Sequence, residues 1–267
     1  MKPYFNLLGI EIHYYSLCIL LGIVCAYLII MKEAKNNKYK EDTISDLIFY
    51  GIIFGLLGAR IYYVLFNLDY YLIYKEEIIK VWHGGLAIHG GIIFGVIFVY
   101  LFTKKHKLIF IKILDILSLG LILAQSIGRW GNFFNQEAYG SSVSYSFLRK
   151  LLIPKFIINN MKIDGIYYLP TFYFESILCL IGFIIMIYIK NKKNNKIGYI
   201  SSFYLIYYSI IRFIIEIFRT DSLMIYKFKT AQIISIIMFI IGIINLIYSK
   251  KSNKLYKEWY LWHFQQK

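Results

Sequence analysis

The chain has 267 residues, of which 59% are hydrophobic, 19% aromatic and only 17% charged. Such a composition cannot cover itself with a polar surface, so a soluble globular protein is excluded and an integral membrane protein is implied. Lys and Arg outnumber Asp and Glu by 30 to 15, a net charge of +15. Because the lysines sit in short loops between apolar runs, the surplus points to membrane topology and anionic lipid headgroups, and no nucleic-acid partner is expected.

Seven apolar runs are long enough to cross a bilayer, for which about 20 residues suffice. They cover roughly 14–31, 44–66, 84–103, 108–127, 171–190, 197–218 and 230–249. None alternates with period two, and an open sheet cannot span lipid. The expected fold class is therefore all-α: a polytopic helical membrane protein, a single integral membrane domain over 1–267. Lysines follow the odd-numbered runs: Lys32, Lys35, Lys38 and Lys40 after the first, Lys104, Lys105 and Lys107 after the third, Lys190, Lys192, Lys193 and Lys196 after the fifth, Lys250, Lys251, Lys254 and Lys257 after the last. The positive-inside rule then puts these connections and the C-terminus in the cytoplasm and the N-terminus outside. Cys18, Cys25 and Cys179 lie within apolar runs without a CxxC and read as small apolar side chains. No cleavable signal peptide is expected, since the first run lacks a small-residue exit and its lysines follow it.

On that threading, polar residues far apart in sequence reach one membrane depth, the outer face. Tyr14 and Tyr15 open the first run, and Arg60 lies near the outer end of the second, where Gly51, Gly55 and Gly58 read as packing positions. The third opens with Gly84, Gly85, His89, Gly90 and Gly91, which places His89 about a turn and a half into the span. Two readings stand for its glycines: close helix packing through Gly91 and Gly95, or access of a substrate to His89. Residues 128–140, GRWGNFFNQEAYG, follow the fourth run. Their glycines are expected to turn the chain where Arg129, Asn132, Asn135, Gln136 and Glu137 gather, although Gly128 and Arg129 alone would also suit a helix C-cap. Residues 128–170 form a small extracytoplasmic excursion, a cap or docking surface. Glu175 lies just inside the fifth run. Arg212, Glu216 and Arg219, spaced i, i+4 and i+7, share a face of the sixth. An arginine at mid-membrane costs about 2.5–3.5 kcal/mol on insertion scales, whereas an i,i+4 pair returns roughly 0.2–0.5 kcal/mol, so the local pair does not account for the charge. Residues 250–267 mix lysines with Trp259, Trp262 and Phe264 and suit a cytoplasmic interfacial tail.

The segment GRWGNFFNQEAYG resembles the defining motif of the bacterial prolipoprotein diacylglyceryl transferases. So do Trp82 with GGLAIHGG at 84–91, GARIYYVLF at 58–66, Pro170-Thr171 with Phe174-Glu175, and IRFIIEIFRTD at 211–221. Departures are Leu169 before Pro170 and Phe174 before Glu175, where the family carries His and Tyr. The resemblance implies a seven-span inner-membrane enzyme that moves the diacylglyceryl group of phosphatidylglycerol onto the lipobox cysteine thiol of a preprolipoprotein and releases glycerol phosphate. By motif position it implies importance for Tyr15, His89, Arg129, Asn132, Glu137, Gly140, Arg212 and Glu216. His89 or Glu137 would take the thiol proton, Arg129 and Arg212 would hold the phosphodiester, and Glu137 and Glu216 would orient the arginines. Neither metal nor cofactor is expected. The competing function is a transporter or lipid scramblase with a polar site near the outer face. Transporters are commonly built from internal repeats, and the sequence displays none.

Overall fold

The computed structural model describes residues 3–7, 9–192, 195–222, 224–226, 228–251 and 255–256. Within these, seven helices are long and apolar enough to cross a membrane: α1 (Tyr14–Asn36), α2 (Glu41–Leu65), α4 (Ile88–Lys105), α5 (Phe110–Asn135), α8 (Thr171–Asn191), α9 (Tyr199–Phe218) and α10 (Thr230–Lys251). The shortest, α4, has 18 residues, or about 27 Å at 1.5 Å per residue, near the thickness of a hydrocarbon core. The chain is a multi-pass, all-α membrane protein. Three short helices, α3 (Leu68–Ile73), α6 (Tyr145–Lys150) and α7 (Lys155–Asn160), lie in the connections. Among the described residues are also three antiparallel hairpins: β1 (Tyr4–Leu7) with β2 (Ile10–His13) ahead of α1, and, in the connections, β3 (Lys162–Ile163) with β4 (Ile166–Tyr167) and β5 (Met224–Ile225) with β6 (Phe228–Lys229).

The chain divides into two compact units, Met1–Ile30 with Leu114–Lys267, and Met31–Ile113. In the first, α5, α8 and α9 enclose a core of Leu119, Ile122, Cys179, Met186, Ile200 and Tyr204. The α5 helix does not stop at the polar motif. It runs through Gly128 and Gly131 to Asn135, so Gly128 is no C-cap and neither glycine turns the chain. Gly131 instead gives room: a Cβ there would lie 2.7 Å from the ring of Tyr15 on α1. The turn comes later, at Gln136 (φ 52) and Ala138 (φ 56), left-handed positions occupied by non-glycine residues. The excursion after it is a cap with its own core. Leu148, Ile153, Ile157, Ile158 and Met161 close over Phe133 of α5 and Phe172 of α8.

At the opposite end of α9, a buried carboxylate from another helix closes the helix start. Asp115 of α5 accepts from the Gly198 amide (2.6 Å), the Ser201 amide (2.8 Å) and the Ser201 hydroxyl (2.6 Å). Asn245 of α10 adds donations to Gly198 O and to the hydroxyls of Ser201 and Ser202. The first amides of a helix have no partner within it, and an acid there also meets the positive end of the helix dipole.

In the second unit, α2 and α4 cross through glycine. A Cβ on Gly90 would lie 2.3 Å from Gly58 O, and one on Gly91 3.3 Å from Gly55 O. The pair expected from spacing, Gly91 with Gly95, is not the contact: a Cβ on Gly95 would meet nothing within 4 Å, and Gly51 offers only ordinary contact with Phe98. Of the expected interfacial tail, 250–267, Lys250 and Lys251 belong to the end of α10, and Leu255 and Tyr256 are described, pairing with Lys196 and Asn195. The rest, Trp259, Trp262 and Phe264 included, lies outside the described residues.

Candidate active site

Three helices of the first unit meet at one carboxylate. Glu175 stands in the first turns of α8, 1% exposed. The start of that helix is fixed by Thr171, whose hydroxyl donates to Ala138 O just after the motif. Arg129 of α5 donates through Nη2 to Glu175 Oε1 at 2.6 Å, and Arg212 of α9 donates through Nη1 to Oε2 at 3.3 Å. The Tyr208 hydroxyl donates to Oε1 at 3.3 Å. Arg212 also lies 2.6 Å from Glu216 Oε2 across one turn of α9. A buried carboxylate that binds two guanidinium groups lets each charge offset the desolvation of the other, which no single i,i+4 pair could do.

Glu175, not Glu137, is therefore the carboxylate that orients Arg129. Glu137 accepts from Asn132 Nδ2 at 2.8 Å, and Asn132 Oδ1 accepts from Arg129 Nη1 at 3.4 Å. Glu137 reaches the arginine only through the asparagine. Glu216 pairs with Arg212 as its spacing suggested. The trio with Arg219 does not hold: α9 ends at Phe218, Arg219 takes an extended conformation (φ −73, ψ 138), and its guanidinium binds Asp221 at 3.0 Å through both Nε and Nη2. Asp221 also accepts the Ala138 amide at 3.2 Å. Burial works against its carboxylate, but the Arg219 hydrogen bonds outweigh this and hold its pKa below the usual aspartate range.

Gly140, the last residue of the motif, lies where the chain passes the end of α9. It bridges to Arg219, its amide donates to Leu169 O at 2.8 Å, and a Cβ there would stand 2.9 Å from Phe218 O. Tyr15 lays its ring over Gly131, while Tyr14 stacks on Phe134 at 4.9 Å. The end of α9 is closed by Lys229 of β6, whose ammonium donates to Glu216 O (2.6 Å) and Arg219 O (2.7 Å). A lysine at this end satisfies carbonyls left open and meets the negative end of the dipole. Sequence reasoning missed Lys229 and gave Glu175 too little weight.

His89 belongs to the second unit. The α4 helix starts at Ile88, so His89 sits in its first turn rather than a turn and a half inside, half-buried and 6.2 Å from the Tyr62 ring centroid. Its glycines divide between the two readings. Gly90 and Gly91 pack on α2, whereas Gly84 (φ 86) and Gly85 (φ 73) turn the chain ahead of the helix. Before them, Glu77 binds Lys80 Nζ and His83 Nδ1, both at 2.7 Å. The Lys80 hydrogen bond, with that of His83, holds the Glu77 carboxyl below its usual range, and the same bond raises Lys80.

The sequence profile of the family described as "Prolipoprotein diacylglyceryl transferase" matches residues 3–248. A phosphatidylglycerol--prolipoprotein diacylglyceryl transferase of Staphylococcus haemolyticus is 46% identical over 257 residues, covering 95% of this chain and 90% of the relative. Proteins of the same name from Staphylococcus carnosus and Staphylococcus saprophyticus are 44% and 46% identical, covering 92% and 91% of this chain and 89% and 87% of theirs. With a profile match over nearly the whole length and relatives this close, the chain belongs to the prolipoprotein diacylglyceryl transferase family.

Proposed function

We propose that in this transferase Arg129 and Arg212 together hold the phosphodiester of phosphatidylglycerol while its diacylglyceryl group passes to the lipobox cysteine thiol of a preprolipoprotein. One observation carries the reading. Arginines from two helices are drawn to a single buried carboxylate, yet their side chains stay 20% and 16% exposed. One carboxylate cannot use all the donors of two guanidinium groups, each of which has five N–H. The remaining donors suit an anion with several oxygens, and arginine keeps its charge in a partly dry site.

In the reaction a C–S bond forms between the thiolate and a glycerol carbon. The C–O bond to phosphate breaks, and its electron pair leaves with glycerol phosphate. Charge grows on that phosphate, where fixed arginines are most useful. The nucleophile comes with the substrate, so the protein has to supply a proton acceptor and a positive field. A thiol of ordinary pKa, about 8.5, is mostly protonated at neutral pH. His89 enters this reading as the acceptor on the chemistry of its imidazole. Glu137, hydrogen-bonded to Asn132, enters as a positioning group for Asn132 and Arg129. Tyr15, Gly140 and Glu216 shape and support the pocket. The enzyme acts in the bacterial cytoplasmic (inner) membrane with its site toward the extracytoplasmic side, in keeping with the lysine pattern.

The test is initial transfer rates for Arg129→Lys and Arg212→Lys with a lipobox peptide and saturating phosphatidylglycerol. Lysine keeps the charge and loses the planar fork, so each variant should lose about tenfold or more in turnover, the equivalent of one good charge-assisted contact. Rates near wild type in folded, inserted variants would overturn the reading.

A further inference from the structure

We infer that Arg60 is a positioning residue for His89, acting through the backbone that leads into α4. Arg60 is 6% exposed, and its guanidinium is spent on main-chain carbonyls. Nε donates to Ile78 O at 2.9 Å, Nη1 to Gly84 O at 2.7 Å and Gly85 O at 2.9 Å, and Nη2 to Glu77 O and, at 3.4 Å, Lys80 O. That occupies all five N–H groups of an arginine. The cation also lies 5.3 Å from the Tyr71 ring centroid. Unlike Arg129 and Arg212, it has no donor to offer a phosphate.

What it holds decides its role. Nη1 ties the carbonyls of Gly84 and Gly85, both in left-handed backbone that glycine alone adopts freely. A Cβ on Gly85 would lie 2.5 Å from Arg60 Nη1 and 2.8 Å from the Tyr63 ring. The neighbouring residues of α2 continue the grip. Ala59 O accepts the Ala87 amide at 3.0 Å, and Gly58 O lies where a Cβ on Gly90 would need to be. Three consecutive residues of α2 thus fix Gly84–Gly85, Ala87 and Gly90. His89 stands between fixed points, with little freedom left in its backbone. Packing alone would need only the glycine contact. Five hydrogen bonds from one side chain are the means to set the direction from which a chain enters a helix, and here they set it at the imidazole.

The inference rests on His89 serving the reaction, and the variants separate the two ideas. Arg60→Lys keeps the charge but cannot reach five carbonyls. Gly85→Ala disturbs the same turn from the other side. Each should lower kcat about tenfold while leaving KM for phosphatidylglycerol within about threefold, and Arg60→Lys added to His89→Gln should cost nothing further, because groups acting as a unit are not additive. Hydrogen exchange of the 87–91 amides should quicken in both variants. A wild-type kcat in Arg60→Lys while His89→Gln is slow, or fully additive losses in the double variant, would overturn the inference. A wild-type rate in His89→Gln would remove His89 from the chemistry, and the inference with it. Should Arg60→Lys fail to fold, Gly85→Ala decides alone; failure of both to fold would assign Arg60 to the fold and overturn the inference.

Discussion

Glu175 is the residue on which the candidate site turns, because among the described residues it is the carboxylate that pairs with both arginines. Breaking a buried ion pair from one side costs roughly 3–5 kcal/mol, since it strands the remaining charge. Glu175→Gln keeps the size and leaves two guanidinium groups facing each other with half of their compensation gone. We expect a lower melting temperature in detergent and a transfer rate reduced at least as far as in either arginine-to-lysine variant. Added phosphatidylglycerol should raise the melting temperature of Glu175→Gln more than that of wild type, because a phosphate bound at the remaining arginine donors then supplies the negative charge that the substitution removes. Equal shifts in the two proteins would show that the lipid phosphate does not meet these arginines. The pairing was only half legible in the sequence. Arg129, Arg212 and Glu216 stand out as charges at the ends of apolar runs, but a sequence suggests partners nearby, and the partner of both arginines lies 46 and 37 residues away. Glu137 was the nearer acid and the wrong one for direct contact, because α5 continues past Gly131 and carries Arg129 toward α8.

At the scale of elements, α9 carries Arg212 and Glu216 and is secured at both ends by residues from other elements: Asp115 of α5 at its start and Lys229 of β6 at its finish. An N-terminal cap contributes typically about 1 kcal/mol, and each buried amide left without a partner costs about 1–3 kcal/mol. Asp115→Ala strips the Gly198 and Ser201 amides together, whereas Asp115→Asn keeps one acceptor oxygen. Melting temperatures should therefore fall in the order wild type, Asp115→Asn, Asp115→Ala, with turnover per folded molecule changing less than in Arg212→Lys. An unchanged melting temperature for Asp115→Ala would remove the cap from the account of α9. The spans themselves were readable, because apolar length is a local property that the bilayer enforces. The hairpins were not: β3 to β6 have two residues each, too few for any alternation to register. Asp115 left a signal that was passed over, an acid inside a largely apolar run that it shares with Lys112. Such a group is costly in lipid and needs a partner within the protein.

Over the whole molecule, the sense of the chain in the membrane decides which leaflet supplies the substrate. Arg129, Glu175, Arg212 and Glu216 gather at the end of α5 and α9 that follows their C-terminal direction and at the start of α8, which is the geometry of antiparallel neighbours meeting at one face. The proposal that this face is the outer one rests on the lysine pattern. Lys35 closes α1, Lys104 and Lys105 close α4, Lys190 lies in the last turn of α8, and Lys250 and Lys251 close α10. Four helix ends rich in lysine follow odd-numbered crossings, and transferring several lysines across the bilayer to reverse them would oppose the bias that orients membrane proteins. Helix dipoles favour lysine at any C-terminal end and cannot by themselves explain the choice, since α5, the fourth crossing, and α9, the sixth, have no basic residue in their last turns. With Cys18, Cys25 and Cys179 replaced, a single cysteine at Ser142, exposed in the cap, should react with an impermeant maleimide in intact cells. One at Lys107, exposed in the turn after α4, should react only after permeabilisation. The reverse pattern would put the arginines on the cytoplasmic side, and the proposed extracytoplasmic use of Arg129 and Arg212 would fail with it.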